Sequence, residues 1–373
     1  MRHITAQLIL MLLLTAAGRG ADAGAVPPGS APLIKPFGTM NEPRASHTAT
    51  MLQDGRILIA GGFHRSRGGE DESYSSTAEI YDPRTGRFSL TGDMSYQRGG
   101  HTATLLTGGL VLVAGGWNLM GALSSAELYD PSSGKFTTIG SMTMRRGGCT
   151  ATLLNDGRVL ITGGSSRDVT ASAELFDPVR KSFSAAGSMT VPRYSHTATL
   201  IRDGLVLITG GLTRREGTLS SAEIFDPGAG TFTAIGDMAA PRAKHGCIEL
   251  ARGDVVVVGG TDGTSWRGDL AIVERFEIAA RKFVRIPDLA RPRARMSASL
   301  APLPDGSLVV TGGDASIERI ASSDGKTGPS TIGVLDRAYY YSTATTLSDG
   351  SVLILGGYDD GGQTTDKAWI IKR

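Results

Sequence analysis

A chain of 373 residues could hold two or three domains or one large one, and its 51 glycines, about twice the usual share of roughly 7%, set it apart from ordinary globular sequences. With 40% hydrophobic residues it has ample material for a core, so the glycine does not mark a disordered linker. A formal net charge of +2 provides no global field to draw nucleic acid or a membrane surface, and two cysteines are too few for a disulfide scaffold.

In chain order, residues 1–23 read as a signal peptide. Arg2 opens the segment, Leu8–Ala17 is apolar apart from Thr15, and small residues then offer Ala-x-Ala cleavage after Ala23 or Ala25. Ten residues are too few to cross ~30 Å of hydrocarbon. A secreted or periplasmic protein with no membrane insertion after cleavage is therefore expected, an uncleaved anchor being the alternative. Residues 24–32 form a Pro/Gly-rich leader, and a single domain is expected over 33–373.

That domain is built of repeats. Gly-x-Met recurs at Gly38–Met40, Gly92–Met94, Gly140–Met142, Gly187–Met189 and Gly236–Met238, with weaker copies at Pro287–Leu289 and Gly333–Leu335. Four residues after each Met or Leu come Arg44, Arg98, Arg146, Arg193, Arg242 and Arg293, and Tyr339 in the seventh copy. An HTATL-like run, a tight turn such as Asp54-Gly55, an apolar run and a Gly-Gly doublet follow, the doublets ending at Gly62, Gly116, Gly164, Gly211, Gly260, Gly313 and Gly357. The rest of each copy resembles SSAELYDPSSGKF. The interval from doublet to Glu varies as 17, 11, 10, 12 and 14 residues in the first five copies, whereas Glu to Phe is always nine. Each copy thus predicts four short antiparallel strands, with Asp-Gly or Gly-Gly hairpins and an Asp-Pro-x-x-Gly turn. The length variation is confined to the loop between the second and third strands.

These residues resemble the kelch family, from about 33 to 373, with Phe where a Trp is common in the fourth strand and a degenerate sixth copy whose third strand is placed at ASIERI. The resemblance implies an all-β, seven-bladed kelch β-propeller with four-stranded antiparallel blades. The last copy lacks a fourth strand and the first is preceded by an orphan one, Leu33–Met40. The N-terminal strand is therefore expected to close the last blade and remove its free edge.

Three residue sets invite a functional reading. The Arg column could be a ring of guanidinium groups for carboxylates, or each Arg could pair with a third-strand Glu such as Glu79. The seventh copy favours pairing, since Tyr339 and Lys367 replace both partners together. His47, His101, His196 and His245 each lie three residues after the Arg, with Cys149 in that place in the third copy. Coming from different blades, they suit a repeated inter-blade hydrogen bond better than convergence on a metal. Cys149 and Cys247 fall two blades apart, too far for a bridge needing Cα atoms within ~7 Å, and are expected as free, buried thiols.

The variable loops hold the third set. Phe63, Trp117 and Tyr358 directly follow doublets, and His64, Tyr74, Asn118, Arg214, Arg215, Trp266, Arg267 and Asp359 surround them. With Tyr339 these twelve are the expected binding residues, because aromatics rimmed by polar groups suit sugars or a protein hot spot. The sequence contains no recognisable catalytic, metal-binding or cofactor motif. The expected function is a secreted, non-catalytic, monomeric propeller that binds a protein or glycan partner through the long-loop face. The resemblance also implies alternatives, a galactose oxidase-like copper enzyme or a sugar-acid mutarotase. The former would need Tyr and His on copper, for which Tyr194 with His196 and Tyr339–Tyr341 are the nearest local candidates.

Overall fold

The structure, a computed structural model, describes residues 34–65, 72–215, 217–250, 253–263, 268–296, 298–321 and 327–372. The signal peptide and leader expected over 1–32 lie outside the described residues, as do Leu33, Trp266 and Arg267.

Seven four-stranded antiparallel sheets follow one another along the chain. Blade 1 is typical. Thr48–Met51 pairs with Ile57–Ala60, which pairs with Ala78–Asp82, which pairs with Arg87–Leu90. The innermost strands, those of the HTATL runs, lie beside one another around the axis. The second strands are wholly buried, as ILIA in blade 1 and VLVA in blade 2. Apolar side chains fill the space between sheets: Leu58, Ala60 and Ile80 of blade 1 pack with Val111, Val113 and Tyr129 of blade 2. A sheet this small cannot bury both faces alone, and radial stacking lets each cover its neighbours. The fourth-strand Phe is no loss, since it lies tilted on the third-strand aromatic, as with Tyr81–Phe88 and Phe225–Phe232 at 4.9 and 4.6 Å between ring centres.

Ring closure follows the expected route. Ile34–Thr39 pairs antiparallel with Lys367–Ile371, completing a sheet with Val352–Leu355 and Thr343–Thr346. Leu353, Leu355 and Ile370 of this last blade share a core with Ile57, Ile59 and Tyr81 of the first. The degenerate sixth blade is complete, with Ser316–Ile320 as its third strand.

Each buried Arg is a junction. Arg44, Arg98, Arg146, Arg193, Arg242 and Arg293 are fully buried and paired with Glu79, Glu127, Glu174, Glu223, Glu274 and Glu318 at 2.6–3.1 Å. Their Nη1 atoms also donate to the first carbonyl of their own doublet, from Gly61 to Gly312. The carboxylates also accept a backbone N–H from the residue after each Met or Leu, from Asn41 to Ala290. A buried ion pair is tolerable only when its remaining hydrogen-bonding capacity is used in this way. The Arg or Tyr339 carbonyl then accepts the second doublet N–H of the preceding blade, seven times around the ring, including Gly357 to Arg44. The doublets must be glycine: both residues have positive φ, and a Cβ at Gly61 would press on the Arg98 carbonyl and the His101 ring.

The seventh blade reverses the polarity. Lys367 stands in the Glu position and donates to Asp336 at 2.5 Å, and the Tyr339 hydroxyl also donates to Asp336. Tyr339 is buried against Trp369 inside the blade and does not face the loops, which corrects its expected place in the site.

The histidines join blades as expected. Nε2 of His47 meets Thr343, His101 meets Thr48, His196 meets Thr150 and His245 meets Thr197, at 3.0–3.2 Å. Cys149 and Cys247 are free; Cys149 is buried, whereas Cys247 is only half-buried, a partial correction. Burial, reinforced by the nearby Arg side chains, lowers His47 and His196 to about 3. A depressed folded pKa means the unfolded chain takes up protons first, so stability is lost as pH falls from 6.5 toward 3. Denaturant midpoints measured from pH 7 to pH 4.5 should fall steadily below pH 6.5. His196→Cys, which copies the third repeat, should remove about 1.4 kcal/mol per pH unit of that slope.

Candidate functional site

The long loops and the repeated Arg positions share one face. In every blade but the sixth, the residue after the doublet bridges the residue after the Arg or Tyr339, as in Ala45–Phe63, Gly99–Trp117, Tyr194–Leu212 and Tyr340–Tyr358. One position further, where the chain turns down into the innermost strand, Ser46, Gly100, Gly148, Ser195, Lys244, Arg295 and Tyr341 all have φ between 49 and 63°. Tyr341 N donates to Arg295 O, Ser46 N to Tyr341 O and Gly100 N to Ser46 O, while Ser195 N donates to Gly148 O, Lys244 N to Ser195 O and Met296 N to Lys244 O. These bonds form a belt around the axial mouth. Left-handed backbone is costly for a bulky residue and persists where the surroundings over-determine it, so Lys244, Arg295 and Tyr341 are held there against local preference.

The belt is lopsided. At Gly100 and Gly148 it has no side chains, and the Trp117 ring occupies that room, close-packed over Gly100, Gly147 and Gly148. On the other side stand Tyr194, Lys244, Arg295, Tyr340 and Tyr341. Tyr358 packs among Phe63, Tyr340 and Tyr341 with ring centres 5.5–5.9 Å apart, and the Arg295 guanidinium lies 5.3 Å from the Tyr340 ring centre. Burial pushes Tyr341 up to about 12 and raises Tyr340 and Tyr358 further. All three therefore carry neutral hydroxyls at pH 7. Lys244 is lowered by burial and then by the charge of Arg295, and Asp269 is raised by burial. Lys244 and Arg295 are half-buried, and neither forms an ion pair or side-chain hydrogen bond among the described residues. The six Arg residues of the repeat column, by contrast, are each neutralised by a Glu.

The expected site residues are only partly brought together. Phe63, His64 and Tyr358 meet where the first and seventh blade loops join, His64 Nδ1 lying 3.3 Å from the Thr364 hydroxyl. Tyr74 pairs with Phe63 in a small hairpin and covers Gly99. The Asn118 side chain caps its own hairpin turn by accepting from Met120 N. Asp359 is consumed by Arg337 and by the backbone N–H groups of Gly361 and Gln363. Arg214 is exposed and donates to the Arg167 carbonyl in the neighbouring blade, and Arg215 is also exposed. Tyr194, Lys244, Asp269, Arg295, Tyr340 and Tyr341 were not among the expected binding residues. For Lys244, Arg295 and Tyr341 the signal was the column two places after the Arg, which is Gly or Ser in the first four copies and Lys, Arg and Tyr in the last three.

The Kelch motif matches residues 44–95 and 98–143, the first two blades. The same spacing runs through all seven sheets. The chain is a seven-bladed β-propeller whose first two blades carry the Kelch motif. No curated protein matches it. Among solved structures, it is similar to a fungal alcohol oxidase of the AA5 family in complex with copper, at TM-score 0.70 and 14% identity over 90% of this chain and 75% of that one. It is also similar to YjhT, at TM-score 0.59 and 12% identity over 88% and 95% of the two chains. At such identities the likeness concerns the fold.

Among the described residues, the histidines of the repeat are not free to hold copper. The four histidines of the repeat are each bonded to a Thr between blades, and among the described residues no three His, Cys, Asp or Glu side chains converge. Cys149 is pushed up to about 11 by burial, away from thiolate chemistry.

The Trp117 packing is open to direct test. Gly147→Ala places a methyl group where the indole lies. Tryptophan emission should shift to longer wavelength as the ring swings into water, with the unfolding free energy falling by roughly 1–3 kcal/mol. An unchanged spectrum would remove Trp117 from the axial mouth.

Proposed function

We propose that this propeller is a binding protein that holds a carboxylate-bearing glycan at the axial mouth of its long-loop face. The observation that carries the reading is the pair Lys244 and Arg295, two half-buried cations that form no ion pair or side-chain hydrogen bond among the described residues and stand beside a bank of tyrosines, Arg295 over the Tyr340 ring. A partly desolvated cation is stabilised by an anion, and the Arg fork matches a carboxylate in two parallel hydrogen bonds. Neutral Tyr hydroxyls and aromatic faces suit the hydroxyls and C–H surfaces of a sugar ring. On the facing side the Trp117 ring, packed over Gly100 and Gly148, forms the opposite wall. The reading requires no catalytic step. It fits a location outside the cytoplasm, for which the apolar run Leu8–Ala17 is the support.

Calorimetric titration with a glucuronate-containing oligosaccharide and its neutral glucose counterpart tests this. The acidic sugar should bind at least about tenfold more tightly, and Arg295→Gln should abolish the difference, since a hydrogen bond to a charged group contributes roughly 1.5–3 kcal/mol. Arg180→Gln, on the opposite rim, should leave both affinities unchanged. Equal affinity for the two sugars, or a preference that survives Arg295→Gln, would contradict the reading. Binding only to an acidic protein partner would transfer the same cations to a different ligand and reject the glycan.

A further inference from the structure

We propose that Lys244 is a carbonyl-reactive amine, one that forms a reversible imine with an open-chain aldehyde or a 2-oxo acid seated at the axial mouth. The inference rests on the axial-site reading for where the ligand sits, and goes beyond it in assigning a covalent step.

Four features of Lys244 converge. It is the lysine of the belt, and its left-handed backbone (φ 53°) is fixed on both sides, its N–H donating to Ser195 and its carbonyl accepting from Met296. Its side chain is half-buried and makes no ion pair or hydrogen bond among the described residues. Its charged and polar neighbours are Arg295, Tyr194 and Asp269. A buried amine beside a second cation is the setting in which lysine becomes a nucleophile, because both effects disfavour the ammonium form. Exposed Lys135, Lys181 and Lys282 have no such surroundings.

The step balances without an oxidant. The neutral Lys244 amine adds to the carbonyl carbon, forming a C–N bond, and the carbonyl oxygen takes up a proton to give a carbinolamine. Loss of that hydroxyl as water breaks the C–O bond and leaves the imine. Solvent supplies the proton that departs with the water and takes up the one released from the nitrogen. Arg295 would hold the carboxylate of a 2-oxo acid, with the carbonyl carbon one bond away.

Trapping with pyruvate and cyanoborohydride at pH 7, followed by peptide mapping in a mass spectrometer, tests the assignment on the unmodified protein. Hydride from the reagent reduces the imine to a stable secondary amine, adding pyruvate and two hydrogens less one water. Lys244 should be labelled roughly tenfold or more faster than Lys135, Lys181 and Lys282, because its amine is partly desolvated and theirs are exposed. Equal labelling of all four would overturn the proposal. Acetaldehyde in place of pyruvate separates this claim from the one beneath it. Selective labelling of Lys244 by both probes at equal rates keeps the imine and removes the anion subsite. Tight binding of the acidic glycan with no selective labelling keeps the subsite and removes the imine.

Discussion

The structure depends on a buried guanidinium that does three jobs at one point. In blade 4, for example, Arg193 neutralises Glu223 and donates to the carbonyl of Gly210, and its own carbonyl receives the N–H of Gly164 from blade 3. The first contact ties the entering chain to the third strand, the second ties it to the end of the second strand, and the last joins neighbouring blades. Six repetitions, with the reversed Asp336–Lys367 pair completing the ring, set the geometry of the entire long-loop face. Hydrophobic packing between sheets supplies most of the stability, but it is non-directional and leaves the angle between blades undetermined. The polar junctions define that angle.

The belt is a consequence. Because each Arg is pinned, the backbone two residues later must turn sharply into the innermost strand, and a left-handed residue is the way it does so. Glycine or serine meets that demand at low cost in the first four copies. Lysine, arginine and tyrosine meet it in the last three, where the two cations form no ion pair among the described residues and the Tyr341 ring packs on Tyr358. A repeat scaffold thus becomes a specific surface by varying one constrained column, while loop length changes around it. The belt is therefore asymmetric, with Trp117 packed over its glycines on one side and charged and aromatic residues on the other.

The four-strand repeat was legible from spacing, through its Asp-Gly turns and Gly-Gly doublets, and the kelch resemblance that this spacing carries supplied the propeller. Pairing of Arg with Glu was legible from the joint loss of both in the seventh copy. Replacement by Asp336 was not, because the acid moved from the third strand to the connecting segment and left no residue in register. The site was only half readable. Aromatics next to the doublets were easy to find, and Phe63, Trp117 and Tyr358 do line the long-loop face. Tyr339 and Asp359 are instead consumed by internal contacts that a one-dimensional reading cannot see. Lys244 and Arg295 escaped because attention to conspicuous Arg and His columns passed over the position between them, whose importance lies in backbone conformation.

The most direct test of the central claim is the unfolding free energy of Arg193→Lys against the parent chain, taken from denaturant melts at pH 7. Lysine keeps the charge opposite Glu223 but lacks the fork that reaches the Gly210 carbonyl and Ser221 at the same time. Were the guanidinium junction the organising interaction, the substitution would cost on the order of 3 kcal/mol, close to the loss on breaking a buried pair. A change within about 0.5 kcal/mol, the range of an ordinary surface substitution, would show that packing alone holds the blades in place.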